Sequence, residues 1–194
     1  MRKIFNAVFL LLAIFIGFLL YQSIKEPIAF KNDREVREDA VKERLKDIRT
    51  VQEMFQDVTG KYAHTFDTLE SVVRTDTFTR IRVMGDPDDP TFTGEITFDT
   101  IRTRAVIDSV NALGINLDNL RFVPFGEDEA TFNIEAKVID YENTRQPVVQ
   151  VGTTYDVFMG RYDARFKRYD NKYDPNQVIK FGDLTKPSVS GSWD

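Results

Sequence analysis

A chain of 194 residues with 42% hydrophobic residues and 16 Phe has apolar matter for one packed core plus an appendage, which excludes a disordered acidic tail. Its net charge of −5 comes with no basic stripe outside one mixed-charge helix, which argues against nucleic acid as a partner. With no Cys, the chain has no disulfide, thiolate metal site, Cys nucleophile or Cys lipidation, and it suits an oxidising compartment such as a periplasm.

The first element is apolar. Ile4 to Tyr21 reads IFNAVFLLLAIFIGFLLY, with no charge and one strongly polar residue, Asn6. At 1.5 Å rise per residue it spans roughly 27 Å, close to a bilayer core. Arg2 and Lys3 precede it, and Lys25 with Glu26 follows. That asymmetry places the N-terminus in the cytoplasm and the bulk of the chain across the membrane. A cleaved leader needs small residues before the cut, and Tyr21 fills the −3 place ahead of Ile24. The segment therefore reads as a retained anchor. A prepilin signal would cut ahead of the apolar stretch, but Gly17-Phe18 lies deep inside it. Ala13 and Gly17 form a small-xxx-small pair that ordinary lipid-facing composition also explains.

Pro27 is expected to kink or end this helix, because proline lacks the backbone donor. A short connector, Ile28 to Asn32, would lead to a second long helix capped by Asp33 and running to about Val58. Ile48, Val51, Phe55 and Val58 make a heptad-like stripe on it. The stripe either packs on its own domain or pairs with a partner, and those four residues are the candidate partner-binding surface. The other faces are dense in charge and read as solvated, with Asp33–Arg37 and Glu38–Lys42 as i,i+4 pairs.

Gly60 ends that helix. Thr65 caps a short one bearing Phe66, Leu69 and Val72 or Val73. Strands are predicted over 74–84 and 91–101, separated by the turn-rich Gly85 to Pro90, and a helix over 103–113. A hairpin is predicted next. Leu120 to Phe125 is one strand, Gly126 to Asp128 the turn, and Ala130, Phe132, Ile134, Ala136 and Val138 alternate with polar residues along the other. A further strand covers 148–157, and 178–181 forms an edge strand. Pro187 to Asp194 reads as an exposed tail. The organisation is thus α+β: 1–24 a cytoplasmic stub and transmembrane helix, 25–59 a connector and long amphipathic helix, 60–186 a small antiparallel-sheet domain, and 187–194 the tail.

Chemistry-bearing motifs are sparse. His64 is the only histidine, without the companions that a triad or a zinc site needs. Asp86, Asp88 and Asp89 are interrupted by prolines and fit a loop better than a cation site. Asp170 to Asp174 puts Lys172 where a calcium ligand would stand. No GxxxxGK, GxGxxG, GxSxG or HExxH occurs, so no cofactor and no enzyme are expected. Tyr155, Phe158, Tyr162, Phe166, Tyr169 and Tyr173 form an aromatic region that either lines a ligand groove for peptide or glycan or belongs to the core and its rim.

Certain residues carry a resemblance. They are Pro27-Ile28-x-Phe30, Arg44-Leu45-Lys46-Asp47-Ile48-Arg49, Gln52, Gly60-Lys61-Tyr62, Phe66-Asp67-Thr68-Leu69, Val123-Pro124-Phe125, Gly182-Asp183-Leu184 and Gly191-Ser192-Trp193-Asp194. Their spacing resembles a family of uncharacterised single-pass envelope proteins of Bacteroidetes-type bacteria. The resemblance implies location and architecture, with no activity to carry over. Asp47 to Leu69 is also similar to the major pseudopilins of type II secretion, which run helix, Gly-x-Tyr, then a short Leu-containing segment. The order of tail, membrane helix, coiled segment and α+β domain resembles the inner-membrane alignment proteins of pilus and secretion machines. The expectation is a non-catalytic structural or adaptor subunit of an envelope assembly, anchored in the inner membrane, with protein partners or self-association. The alternative is an envelope ligand-binding protein using the aromatic region.

Overall fold

The computed structural model describes residues 2–84, 97–160 and 173–194. Its fold is α+β. One helix, α1, runs without a break from Arg2 to Thr59. Its first part is long and apolar enough to cross a membrane and is not buried by any of the described residues. Pro27 does not end the helix, as the sequence suggested, and no connector follows it. Proline removes one N–H bond, the one that would reach the Ser23 carbonyl. Ser23 is exposed, so solvent or headgroups satisfy that carbonyl while long helical flanks hold the geometry.

From Phe30 onward α1 is the spine of the core. Phe30, Val41, Leu45, Ile48, Val51 and Phe55 are buried along one face. Each contributes roughly 1.5–3 kcal/mol of gross apolar burial, so this face is a main source of stability. Gln52 is also fully buried and is satisfied at both ends. Its Nε2 donates to the Ala63 carbonyl and its Oε1 accepts from the Ala63 N–H, both at 3.0 Å. This clamp folds the chain back after Gly60, and α2 (Phe66–Thr75) then packs Phe66, Leu69 and Val73 into the core. Thr65 caps α2 as expected, accepting from the Thr68 N–H.

β1 (Thr77–Met84) and β2 (Thr97–Ala105) pair antiparallel as a separate two-stranded sheet. The predicted turn 85–90 and the start of the predicted strand 91–101 lie outside the described residues. α3 (Val106–Ala112) follows directly and buries Val106 and Val110.

The second sheet has the order β3-β4-β5, all antiparallel, from β3 (Asn133–Tyr141), β4 (Thr144–Thr154) and β5 (Val178–Gly182). The predicted alternation holds from Ala130 to Ala136 and ends at Val138, which is exposed, and the partner strand predicted for it does not form. Leu120 to Phe125 contributes a single bridge, Phe122 to Thr131. Phe125, Asp128 and Glu129 have φ of 62°, 53° and 56°, which breaks extended pairing there. The true hairpin turn is Glu142-Asn143, with φ of 48° and 64°. Positive φ at both central residues is the turn that matches strand twist, and Asn tolerates it better than Glu. Glu142→Asn is expected to raise stability by about 0.5–1 kcal/mol, read as a higher denaturation midpoint.

The tail is not free. Gly191 bridges Phe181, the Gly182 N–H donates to the Ser190 carbonyl, and the Ser192 N–H donates to the Lys180 carbonyl. Val189 and Trp193 pack against the core. The tail thus covers the outer edge of β5, a job that a short strand rich in backbone polar groups requires. Gly182 sits at φ 82°, where a Cβ would strike the Val149 carbonyl, so the close approach of β5 to β4 needs glycine.

Candidate functional site

The structure places Ile48, Val51, Phe55 and Val58 inside the domain. The first two are fully buried, Phe55 is 5% exposed, and Val58 is half-buried against the core. Ile48, Val51 and Phe55 offer no surface and Val58 packs partly buried on the core, so the stripe is not the partner-binding surface that its spacing suggests. The stripe holds α1 to its own domain.

The flanks of α1 do the same with arginines. Arg34 lies over the rings of Tyr155 and Tyr173, at 5.8 and 5.9 Å from their centroids. Arg37 donates to the Phe158 carbonyl at 2.7 Å and lies 4.9 Å from the Phe125 ring centroid. Arg44 donates to the Asn119 carbonyl. Arg49 reaches the Val189 carbonyl and an Asp194 carboxylate oxygen, each at 3.4 Å. A planar guanidinium with several donors suits such bridging better than an ammonium. Their charge density in the sequence suggests a solvated face. Nothing in their spacing separates the two cases, because the carbonyls they bind are distant in sequence. The Glu38–Lys42 pair does form, at 2.9 Å.

The aromatic region divides. Tyr155, Phe158 and Tyr173 are buried, at 5%, 0% and 5% exposure. Tyr155 contacts Phe158 (4.9 Å) and Tyr173 (6.2 Å), and Tyr173 meets the Phe30 ring edge-on at 6.0 Å. Phe30, in the stretch expected to be a connector, is therefore part of this cluster. α4 (Tyr155–Met159) presents Tyr155 and Phe158 to it. Tyr162, Phe166 and Tyr169 lie outside the described residues. Burial pushes the Tyr155 hydroxyl pKa up, and the nearby Glu38 carboxylate adds to that.

A groove of about 540 Å³ runs along α1 beside this cluster, lined by Phe30, Arg34, Glu38, Asp39 and Lys42 among others. Its charges compensate one another. Lys42 also lies 3.5 Å from Asp39, and Arg34 lies 3.6 Å from Glu38. Desolvation draws the Lys42 pKa down, but Glu38 and Asp39 together outweigh it and hold the ammonium charged. These are ion pairs that brace a helix surface. His64 is exposed just ahead of α2. Among the described residues no three His, Cys, Asp or Glu side chains gather as metal ligands. Asp86, Asp88 and Asp89 lie outside those residues.

The arrangement fixes direction. Gln56 near the end of α1 shares a small cavity with Pro147, Val148 and Val149 of β4, while Arg34 and Arg37, about five to six turns nearer the apolar end, meet Tyr155 and Phe158 just after β4. β4 therefore runs antiparallel to α1. The β3–β4 hairpin points away from the apolar end of the helix. β5 covers β4 only from Gln150 onward, and Pro147 lies in the uncovered stretch, where proline is tolerated. Val138 and Tyr141 are exposed on this ribbon, and among the described residues no strand pairs with the outer edge of β3. Comparison with protein families, with curated proteins and with solved structures finds no match to this chain.

Proposed function

We propose that this chain is a single-pass membrane protein that serves as a structural or adaptor subunit of a cell-envelope assembly. Its N-terminus is cytoplasmic and its domain periplasmic. The observation that carries the reading is the unbroken α1, which is a membrane-length apolar helix at one end and the core of the domain at the other. Such a helix transmits the position and orientation of the anchor to the domain with no hinge. Arg2 and Lys3 ahead of the span set the topology. The resemblance to single-pass envelope proteins supports this same reading.

On this reading the partner-facing surface is the β3–β4 ribbon at the far end, where the edge of β3 that no described strand pairs takes an extended strand from a partner subunit. The ligand-binding alternative loses Tyr155, Phe158 and Tyr173 to the core. The test has two arms. An export-dependent reporter fused after Asp194 is expected to be active, and activity of a strictly cytosolic reporter there would reverse the topology. Affinity purification from native membranes should recover defined partners with wild type and lose them with Val138→Ser combined with Tyr141→Ala. Both residues are exposed, so the melting temperature should hold. An unchanged partner set would remove the ribbon from the adaptor reading.

A further inference from the structure

We infer that the stretch of α1 between the span and the domain is a lipid-contacting collar, and that the base of the domain rests on the headgroup layer. This rests on the reading of the apolar segment as a bilayer span. Tyr21, Ile24 and Ile28 follow one another at i, i+3 and i+7 on one helix face, and Ile24 and Ile28 are 61% and 63% exposed. Phe30, where the domain begins to pack, lies about 160° round the helix from Ile28. The domain thus grips the opposite face and leaves the isoleucines uncovered. They line a shallow recess of about 430 Å³ with Lys25, Ala29 and Asn32.

Lengths decide what fills that face. Ile4 to Tyr21 spans roughly 27 Å, short of a hydrocarbon core of about 30 Å. Extending the span to Ile24 gives roughly 31 Å and closes the gap. Ile28 then stands about 6 Å further out, inside a headgroup layer roughly 5–8 Å thick. Phe30 stands about 9 Å out, at the outer edge of that layer. The side chains agree. Tyr21 has the Lys25 ammonium 5.7 Å from its ring centroid, an aromatic paired with a cation near the boundary. Lys31 is exposed and, about 10 Å out, stands just beyond that layer. A second copy is the poorer occupant. Parallel helices in one bilayer put equal residues at equal height, and the same face next presents the exposed Glu35 to its own copy.

The chain has no cysteine, so single-site nitroxide labels can be placed at will. The full chain would carry Ile14→Cys, Ile24→Cys, Ile28→Cys or Glu35→Cys in phosphatidylcholine vesicles. Collision of the label with oxygen, which partitions into lipid, is compared with collision with a water-soluble nickel chelate. Oxygen should dominate at Ile14 and Ile24, nickel at Glu35, and Ile28 should fall between them. Nickel access at Ile28 equal to that at Glu35 would lift the collar into water. Low access to both reagents at Ile28 would mean a protein cover, a second copy in these vesicles. Either result overturns the collar and leaves the span standing. Nickel access at Ile14 would instead sink the span, and the collar with it.

Discussion

Val51→Asp is expected to destabilise the domain itself by several kcal/mol, whatever it does to partners. Val51 has no exposed surface and sits between Ile48 and Phe55 in the core. A carboxylate there has no cation within the stripe, and a buried unpaired charge either desolvates at great cost or forces the helix off the domain. Domains of this size hold roughly 5–15 kcal/mol in total, so the loss should be visible as a large drop in denaturation midpoint. Val36→Asp supplies the control. It lies on the same helix, is 55% exposed, and should shift stability by less than about 0.5 kcal/mol. If the two variants melted alike at the wild-type temperature, α1 would not be the spine of the core, and the stripe would return as a partner surface.

The three-four spacing of Ile48, Val51, Phe55 and Val58 specifies an amphipathic helix, and the helix is there. Periodicity does not name what covers the apolar face, since a domain and a partner helix demand the same pattern. Pro27 failed for a related reason. The rule about proline is local, while the helix is held by long flanks on either side of it. The alternation is legible in the sequence because one face is buried from Ala130 to Ala136, but its partner is not. Gly126 advertised a turn, and Glu142-Asn143 adopts positive φ with no glycine to signal it. The tail looked polar and loose. What docks it is Val189, Trp193 and a few backbone bonds to β5, none of which has a pattern of its own. The arginine bridges from α1 were invisible for the same reason, as each depends on a carbonyl brought near only by the fold.

Phe158→Ala is expected to cost about 3–5 kcal/mol, the range for an aromatic removed from a well-packed core. Phe158 has no exposed surface, contacts Tyr155 at 4.9 Å, and offers its carbonyl to Arg37. Deleting the ring opens a cavity beside α1 that the braced surroundings cannot collapse into, because the arginine bridges hold the helix at its present distance. The result separates the two functions weighed for the aromatic region. A groove-lining ring contributes little to folding, so its loss would leave the denaturation midpoint near wild type and weaken only the capture of ligand. A core ring lowers the midpoint steeply whether or not any ligand is present. Arg37→Lys is the companion variant. It keeps the charge but loses the planar fork that donates to the Phe158 carbonyl and stacks on Phe125. A smaller loss, on the order of 1 kcal/mol, is expected for it. If Phe158→Ala melted within about 0.5 kcal/mol of wild type, the buried cluster would be an open groove in solution, and the ligand-binding reading would take precedence over the adaptor.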